Sequence, residues 1–296
     1  MHARRLLLIA SVAAGALLLS GCVDNSTDST KPSSDAGSST TVDEAAAALL
    51  PDDVSSAGKL IVGTDAAYPP NEYKDDAGKP VGWEIELTNA IGAKLGLDVE
   101  YQIASFDNII PSITGGKADM GMSSFTDNAE RQKQVDFVNY FEAGILWAQA
   151  VGKGIDPDDA CGLNVAVQST TYEETDELPA KSDDCVAAGK EPINILPFDS
   201  QDAAANAVAL GQADAMSADS PVTLYAIEQT GGKLEAAGET FDSAPYGIPV
   251  MKDSELAKAL QAAIQSLVDD GTYGKILTAW GVESGGLDEI TINAGS

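Results

Sequence analysis

Two stretches of this chain echo one another, and the echo limits what it can fold into. SFDNIIPSITGGKADMGMSS (residues 105–124) is matched by PFDSQDAAANAVALGQADAMSAD (residues 197–219). Both run Phe-Asp, then a helical stretch, then Gly-x-Ala-Asp, then a short apolar run. Gly116 and Gly211 take the same place, and so do Asp119 and Asp214. IVGTDAAY (61–68) is echoed in turn by VAVQSTTY (165–172), each a strand leading into a polar loop. Strands alternating with helices argue for an α/β fold with mainly parallel sheets. The echo predicts two lobes of similar construction, each a sheet flanked by helices. Asp119 and Asp214 are assigned to structure.

The remaining pattern fits this frame. KLIVGT (59–64) reads as a buried strand. Leu87, Ala90, Ile91 and Leu95 fall at helical spacing over 83–95, with Gly96 placed as the C-terminal cap. Strands follow at 98–103 and 118–122, with a helix over 107–114 between them. Leu256, Leu260, Ile264 and Leu267 make the apolar stripe of a late helix.

The N-terminal end reads differently. Arg4 and Arg5 precede an apolar run from Leu6 to Leu19, too short to span a bilayer and typical of a signal-peptide core. Leu19-Ser20-Gly21-Cys22 resembles the bacterial lipobox, which implies a signal peptide over 1–21 and a lipid on Cys22. Residues 22–57, rich in Ser, Thr and Asp, are expected to tether the body flexibly. Lobe 1 is expected over 58–150 plus 247–285, lobe 2 over 151–246, and a peripheral tail over 286–296. The chain crosses between lobes near 150–153 and again near 243–247.

Removing residues 1–21 removes the single histidine, His2. That weighs against Ser-His and Cys-His hydrolases and against zinc enzymes. Cys161 and Cys185 then remain, and in an exported protein they are expected to pair; two separate buried thiols are the alternative. The 17 Lys plus Arg fall to 15 without Arg4 and Arg5, against 46 Asp plus Glu. Such a chain repels nucleic acid and anionic membrane surfaces and leans toward neutral or cationic ligands.

SSFTDNAERQKQVDF (123–137) holds the arginine that remains, Arg131. Arginine offers a rigid fork that meets a carboxylate bidentately. It follows the strand ending near Met122, together with Ser123, Ser124 and Thr126, and ligands in α/β sheets sit at the carboxyl ends of strands. The matching strand of the second half delivers Asp219. A guanidinium on one lobe facing a carboxylate on the other suits an α-amino acid. The plain alternatives are a surface ion pair of Arg131 with Glu130 or Asp136, and Asp219 capping the helix that begins at Ser220-Pro221.

These segments resemble the polar amino-acid family of bacterial extracellular solute-binding proteins, the capture subunits of ABC importers. The resemblance is carried by VGTDAAYPPNEY, GKPVGWEIELTNAIGAKLG, FDNIIPSITGGKADM, SSFTDNAERQKQVDF, VAVQSTTYEE, LGQADAMSADSPVTLY, APYGIPVMKD and DGTYGKILTAWG. It spans nearly all of residues 58–282. It implies a two-lobed periplasmic-binding-protein-like fold of type II with the ligand in the cleft. By position, Arg131 would grip the ligand carboxylate, completed by Thr126, Ser124 and the amides around Thr171 and Tyr172. Asp219 would take the ammonium. Tyr68 and Phe106 would stack on the side chain with Trp83 as a further wall, and Asp65 and Gln168 would face its polar tip. Tyr68, Phe106 and Trp83 as core, and Asp65 satisfying turn amides, are the alternatives. Asn71 stands where many members have Phe, and Thr170 where a Gly commonly precedes the Thr.

The expected function is capture of a polar amino acid, cationic or amide, and delivery to an ABC permease by hinge closure. The expected form is a monomer without cofactor or metal, tied to the outer face of the membrane by lipid alone. A sensor lipoprotein and a cyclohexadienyl-dehydratase-like enzyme are the competing readings.

Overall fold

The structure, a computed structural model, describes residues 40–296. The signal segment, Cys22 and the first half of the expected tether lie outside the described residues. Helices α1 (Glu44–Ala47) and α2 (Asp52–Ala57) lead into strands β1 (Lys59–Thr64), β2 (Ala67–Tyr68), β3 (Glu72–Lys74) and β4 (Pro80–Val81). Then come α3 (Trp83–Leu95), β5 (Asp98–Ile103), α4 (Ile109–Thr114), β6 (Met120–Gly121) and the long β7 (Val135–Ala150). The second half contributes β8 (Asn164–Gln168), α5 (Leu178–Ala187), β9 (Asn194–Phe198), α6 (Gln201–Ala209), β10 (Ala215–Asp219) and α7 (Ser220–Gln229). The long β11 (Leu234–Met251), α8 (Leu256–Asp269), α9 (Thr272–Trp280) and β12 (Thr291–Ile292) complete the chain.

One sheet runs in the order β5-β1-β6-β11-β7-β10-β8-β9, and β12 adds to β7. It holds two lobes because β7 and β11 pass through both. From Val135 to Ala143, β7 pairs with the later half of β11. From Ile145 to Gln149 it pairs with β10, and β11 meets it there through Leu234–Phe241. Each lobe has its own apolar core. One is built on Leu60, Trp83, Ile91, Tyr140 and Leu260, the other on Val165, Met216, Ala204 and Val208.

The two halves repeat in detail. Asp119 accepts a hydrogen bond from the Ile61 amide at 2.7 Å, and Asp214 accepts one from the Asn164 amide at 2.9 Å. Each carboxylate ties the loop before its own strand to the first strand of its lobe, which is why both halves keep the Gly-x-Ala-Asp turn.

Three sequence expectations need correction. The crossing expected at 150–153 occurs earlier, at Ala143–Ile145, because β7 does not end where lobe 1 ends. The other crossing, Phe241–Ala244, overlaps the expected one and carries register shifts. Gly144 is required here: a Cβ would lie 2.5 Å from Thr240 Cγ2 and 2.8 Å from the Phe241 carbonyl of the second crossing strand. The folded body also begins before Gly58. Asp43 caps α1, its amide donates to the Lys94 carbonyl at 2.8 Å, and Ala46 and Val54 are buried. Lastly, the tail is not peripheral. β12 pairs with β7, and the Gly295 amide donates to Asp127 Oδ2 at 2.9 Å.

Cys161 and Cys185 form a disulfide that joins the approach to β8 to helix α5. Closing a loop of 24 residues contributes about 3 kcal/mol by the chain-entropy account.

Candidate functional site

Four strands end at one place. β1 delivers Asp65, β6 delivers Ser123 and Ser124, β8 delivers Gln168 and Thr171, and β10 delivers Asp219. Between them lies a cavity with about 290 Å³ of atom-free space. Tyr68, Phe106, Thr126, Arg131 and Tyr172 complete the wall foreseen from sequence. Ser123, read from sequence among the polar residues after the strand, also lines it, as do Glu72 and Glu173, which were not among the candidates.

Arg131 is held without an ion pair among the described residues. Its Nη1 donates to the Thr126 carbonyl at 2.9 Å and its Nη2 to the Thr170 carbonyl, across the cleft, at 3.2 Å. The guanidinium carbon lies 5.5 Å from the Phe106 ring and 5.4 Å from the Phe125 ring, which stack on each other. The surface pairing considered from sequence does not occur: Glu130 pairs with Lys133, and Asp136 with Lys252. Five N–H donors with two in use leave the fork available to a carboxylate. Burial lowers the arginine's pKa, opposed by Glu173, Asp176 and Asp219.

Asp219 makes no capping bond to α7. Its Oδ2 instead accepts from the Tyr68 hydroxyl at 2.8 Å, and Tyr68 packs into the core of the opposite lobe. Burial, then the nearby Glu173, raises the Asp219 pKa well above the ordinary value. Asp65 is bonded across the cleft too, accepting from Gln168 Nε2 at 2.7 Å. Its pKa is pushed up to about 6 by burial, against the pull of Gln168. The Gln168 Oε1 atom is buried and without a partner among the described residues.

Trp83 does not reach the cavity. It is fully buried, its ring 4.8 Å from Phe141, and its indole N–H donates to Asn71 Oδ1 at 2.7 Å. As the first residue of α3 it faces the lobe 1 core. Asn71 in turn donates to Ser124 Oγ at 2.9 Å, so Trp83 acts one step behind the wall. The Asn71 amide thus links Trp83 to Ser124. Gly82 is required beside it, with φ +133° and a hypothetical Cβ 2.1 Å from the Asn71 carbonyl.

Glu173 escaped sequence reading because the pattern Tyr-Glu-Glu looks like a solvated helix start. A π-helical turn over Glu173–Glu177 turns both end residues inward, and both are buried. Such turns recur at functional sites. Glu177 accepts from Trp147 Nε1 at 3.1 Å and from Ser217 Oγ at 3.0 Å. Burial, then Glu173, pushes its pKa up to about 8.

Residues 60–283 match the profile of the bacterial extracellular solute-binding proteins, family 3. The chain belongs to that family. It is 40% identical over 284 residues to the arginine-binding protein ArgT of Corynebacterium glutamicum, covering 95% of this chain and 93% of the relative. Among solved structures it resembles an ancestral arginine-binding protein bound to arginine, at 37% identity and TM-score 0.69, over 75% of this chain and 98% of the other. An ancestral arginine-binding protein bound to glutamine is similar at 39% identity and TM-score 0.68, over 76% and 99%. Other similar proteins are named as ABC transporter arginine- or glutamine-binding proteins, and this chain shares the fold of the solved amino-acid-binding proteins.

Proposed function

We propose that this protein captures a cationic L-amino acid, arginine first, and delivers it to an ABC permease by closure of its lobes. One observation carries the reading: the cavity wall presents the carboxyls of Asp65, Glu72, Glu173 and Asp219 against the single guanidinium of Arg131. A ligand with one carboxylate and two cationic groups balances that wall better than a neutral or acidic one. The binding names of the relatives support the same class.

In this reading Arg131 takes the α-carboxylate, with Ser124, Thr126 and the amides around Thr171 and Tyr172 completing the grip. Asp219 takes the α-ammonium. Tyr68 and Phe106 flank the side chain, and Asp65, Gln168 and Glu173 receive its tip. Contacts from both lobes favour the closed form, so ligand shifts an open–closed equilibrium. Binding, not turnover, is the activity proposed. Lipid on Cys22 would hold a monomer at the outer face of the membrane. Glutamine is the second ligand, because the unpartnered Gln168 Oε1 suits an amide donor and a similar protein has been solved with glutamine.

A thermal-shift panel of the twenty amino acids plus ornithine tests this. At about 100-fold excess over Kd a specific ligand adds about 2.7 kcal/mol of stability. The expected result is a shift of several degrees with arginine, smaller with glutamine. A dominant shift with glutamate, or none with any cationic amino acid, would overturn the reading.

A further inference from the structure

Behind Ser124 lies a pair of carboxyls without an ion-pair partner among the described residues. Glu72 and Glu84 are both fully buried, and Ser124 Oγ lies 3.3 Å from Glu72 Oε2 and 2.9 Å from Glu84 Oε1. A hydroxyl has one proton to donate. Ser124 Oγ already accepts from Asn71 Nδ2, so its proton satisfies one carboxylate, and the other carboxyl must bring a proton of its own.

The remaining bonds say which one does. Glu84 also accepts from the Ser124 amide at 3.2 Å and from the Tyr140 hydroxyl, a set that suits the ionised form. Glu72 accepts at its other oxygen from Ser123 Oγ alone, at 2.8 Å. The shared proton therefore sits on Glu72, which donates toward Glu84 and Ser124 Oγ, while the Ser124 hydroxyl donates to Glu84. Burial first, then the charge of Glu84, raises the Glu72 pKa well above the ordinary value, consistent with that direction.

Glu72 is also the member of the pair on the cavity wall, where the unpartnered Gln168 Oε1 waits for a donor. We infer that Glu72 distinguishes a cationic from a neutral ligand side chain, and does so by releasing its proton to solvent when the cation enters. This rests on the proposed amino-acid site. The groups facing the pair are Glu84 from α3, Asp65 from the loop after β1, Tyr140 from β7 and Tyr246 from β11, with Arg131, Glu173 and Asp219 on the same cavity. Asp219 would meet the α-ammonium of any amino acid, so its proton cancels in a comparison; Asp65 and Glu173 would meet the tip beside Glu72 and also hold raised pKa values, so Glu72's share is the part of the difference that its own substitution removes.

Titration calorimetry in buffers of different ionisation enthalpy counts the protons. Arginine should release about one proton more than glutamine near neutral pH. Glu72→Gln should lower that difference by about one proton and weaken arginine binding more than glutamine binding. Equal release by both ligands, or an undiminished difference in Glu72→Gln, would overturn the assignment. Should that variant not fold, infrared difference spectra of Asp65→Asn and of Glu173→Gln decide it. Arginine must then remove more protonated-carboxyl absorption than glutamine, and equal loss rejects the idea. Binding of no cationic amino acid would sink the functional reading and Glu72's role with it; binding without differential release sinks only the latter.

Discussion

At the scale of single residues, Arg131 shows how a scarce residue type becomes informative. A chain rich in lysine that places one arginine after a strand end had little structural reason to do so, and the fork is indeed left without an ion pair among the described residues. Arg131→Ala should weaken arginine binding by about 2–5 kcal/mol, at least about 30-fold, by calorimetry. Unchanged affinity would remove Arg131 from the site. Thr170 was legible only as a departure. Its φ of +65° is the conformation glycine adopts freely, and a β-branched residue there is strained. Thr170→Gly should therefore stabilise the protein, by about 1 kcal/mol in denaturant unfolding. Trp83 was misjudged because an aromatic near a binding motif does not declare which side of the helix it faces.

At the scale of elements, the strands and helices with clear periodicity were readable, and the boundaries set by pairing were not. The span of β7 through both lobes depends on partners far away in sequence, β10 and β11. Its crossing is tight, since Gly144 faces Thr240 and Phe241 too closely for any side chain. Gly144→Ala should cost about 1–3 kcal/mol of stability, as overpacking commonly does. No loss in urea unfolding would show that the two crossing strands separate readily. The π-helical turn before α5 was equally hidden, because its inward face follows from packing against Trp147 and Ser217.

At the scale of the whole molecule, buried acids set the response to pH. A carboxyl whose folded pKa lies above its unfolded value holds a proton that unfolding releases, so stability falls as pH rises between the two values. For Glu177 the window runs from the ordinary value of 4.5 to about 8. One such group contributes a slope of at most about 1.4 kcal/mol per pH unit. Glu177→Gln should accordingly gain stability relative to the parent as pH rises through that window and hold the gain above it. Parallel pH profiles for parent and variant, from urea unfolding, would exclude Glu177 as a buried proton carrier.

The amino-acid sequence by itself determined the two-lobed α/β construction, the family and most of the cavity wall. Apolar periodicity, turn residues and the duplicated Gly-x-Ala-Asp pattern are local signals, and the strand ends they locate border the cavity. Only the tertiary structure decided where the chain crosses between lobes, that Trp83 stands behind Asn71, and that Glu72, Glu84, Glu173 and Glu177 are buried. In sequence a glutamate in a polar stretch looks solvated. Burial is a property of what packs over it, and here the opposing lobe and the sheet beneath supply the cover.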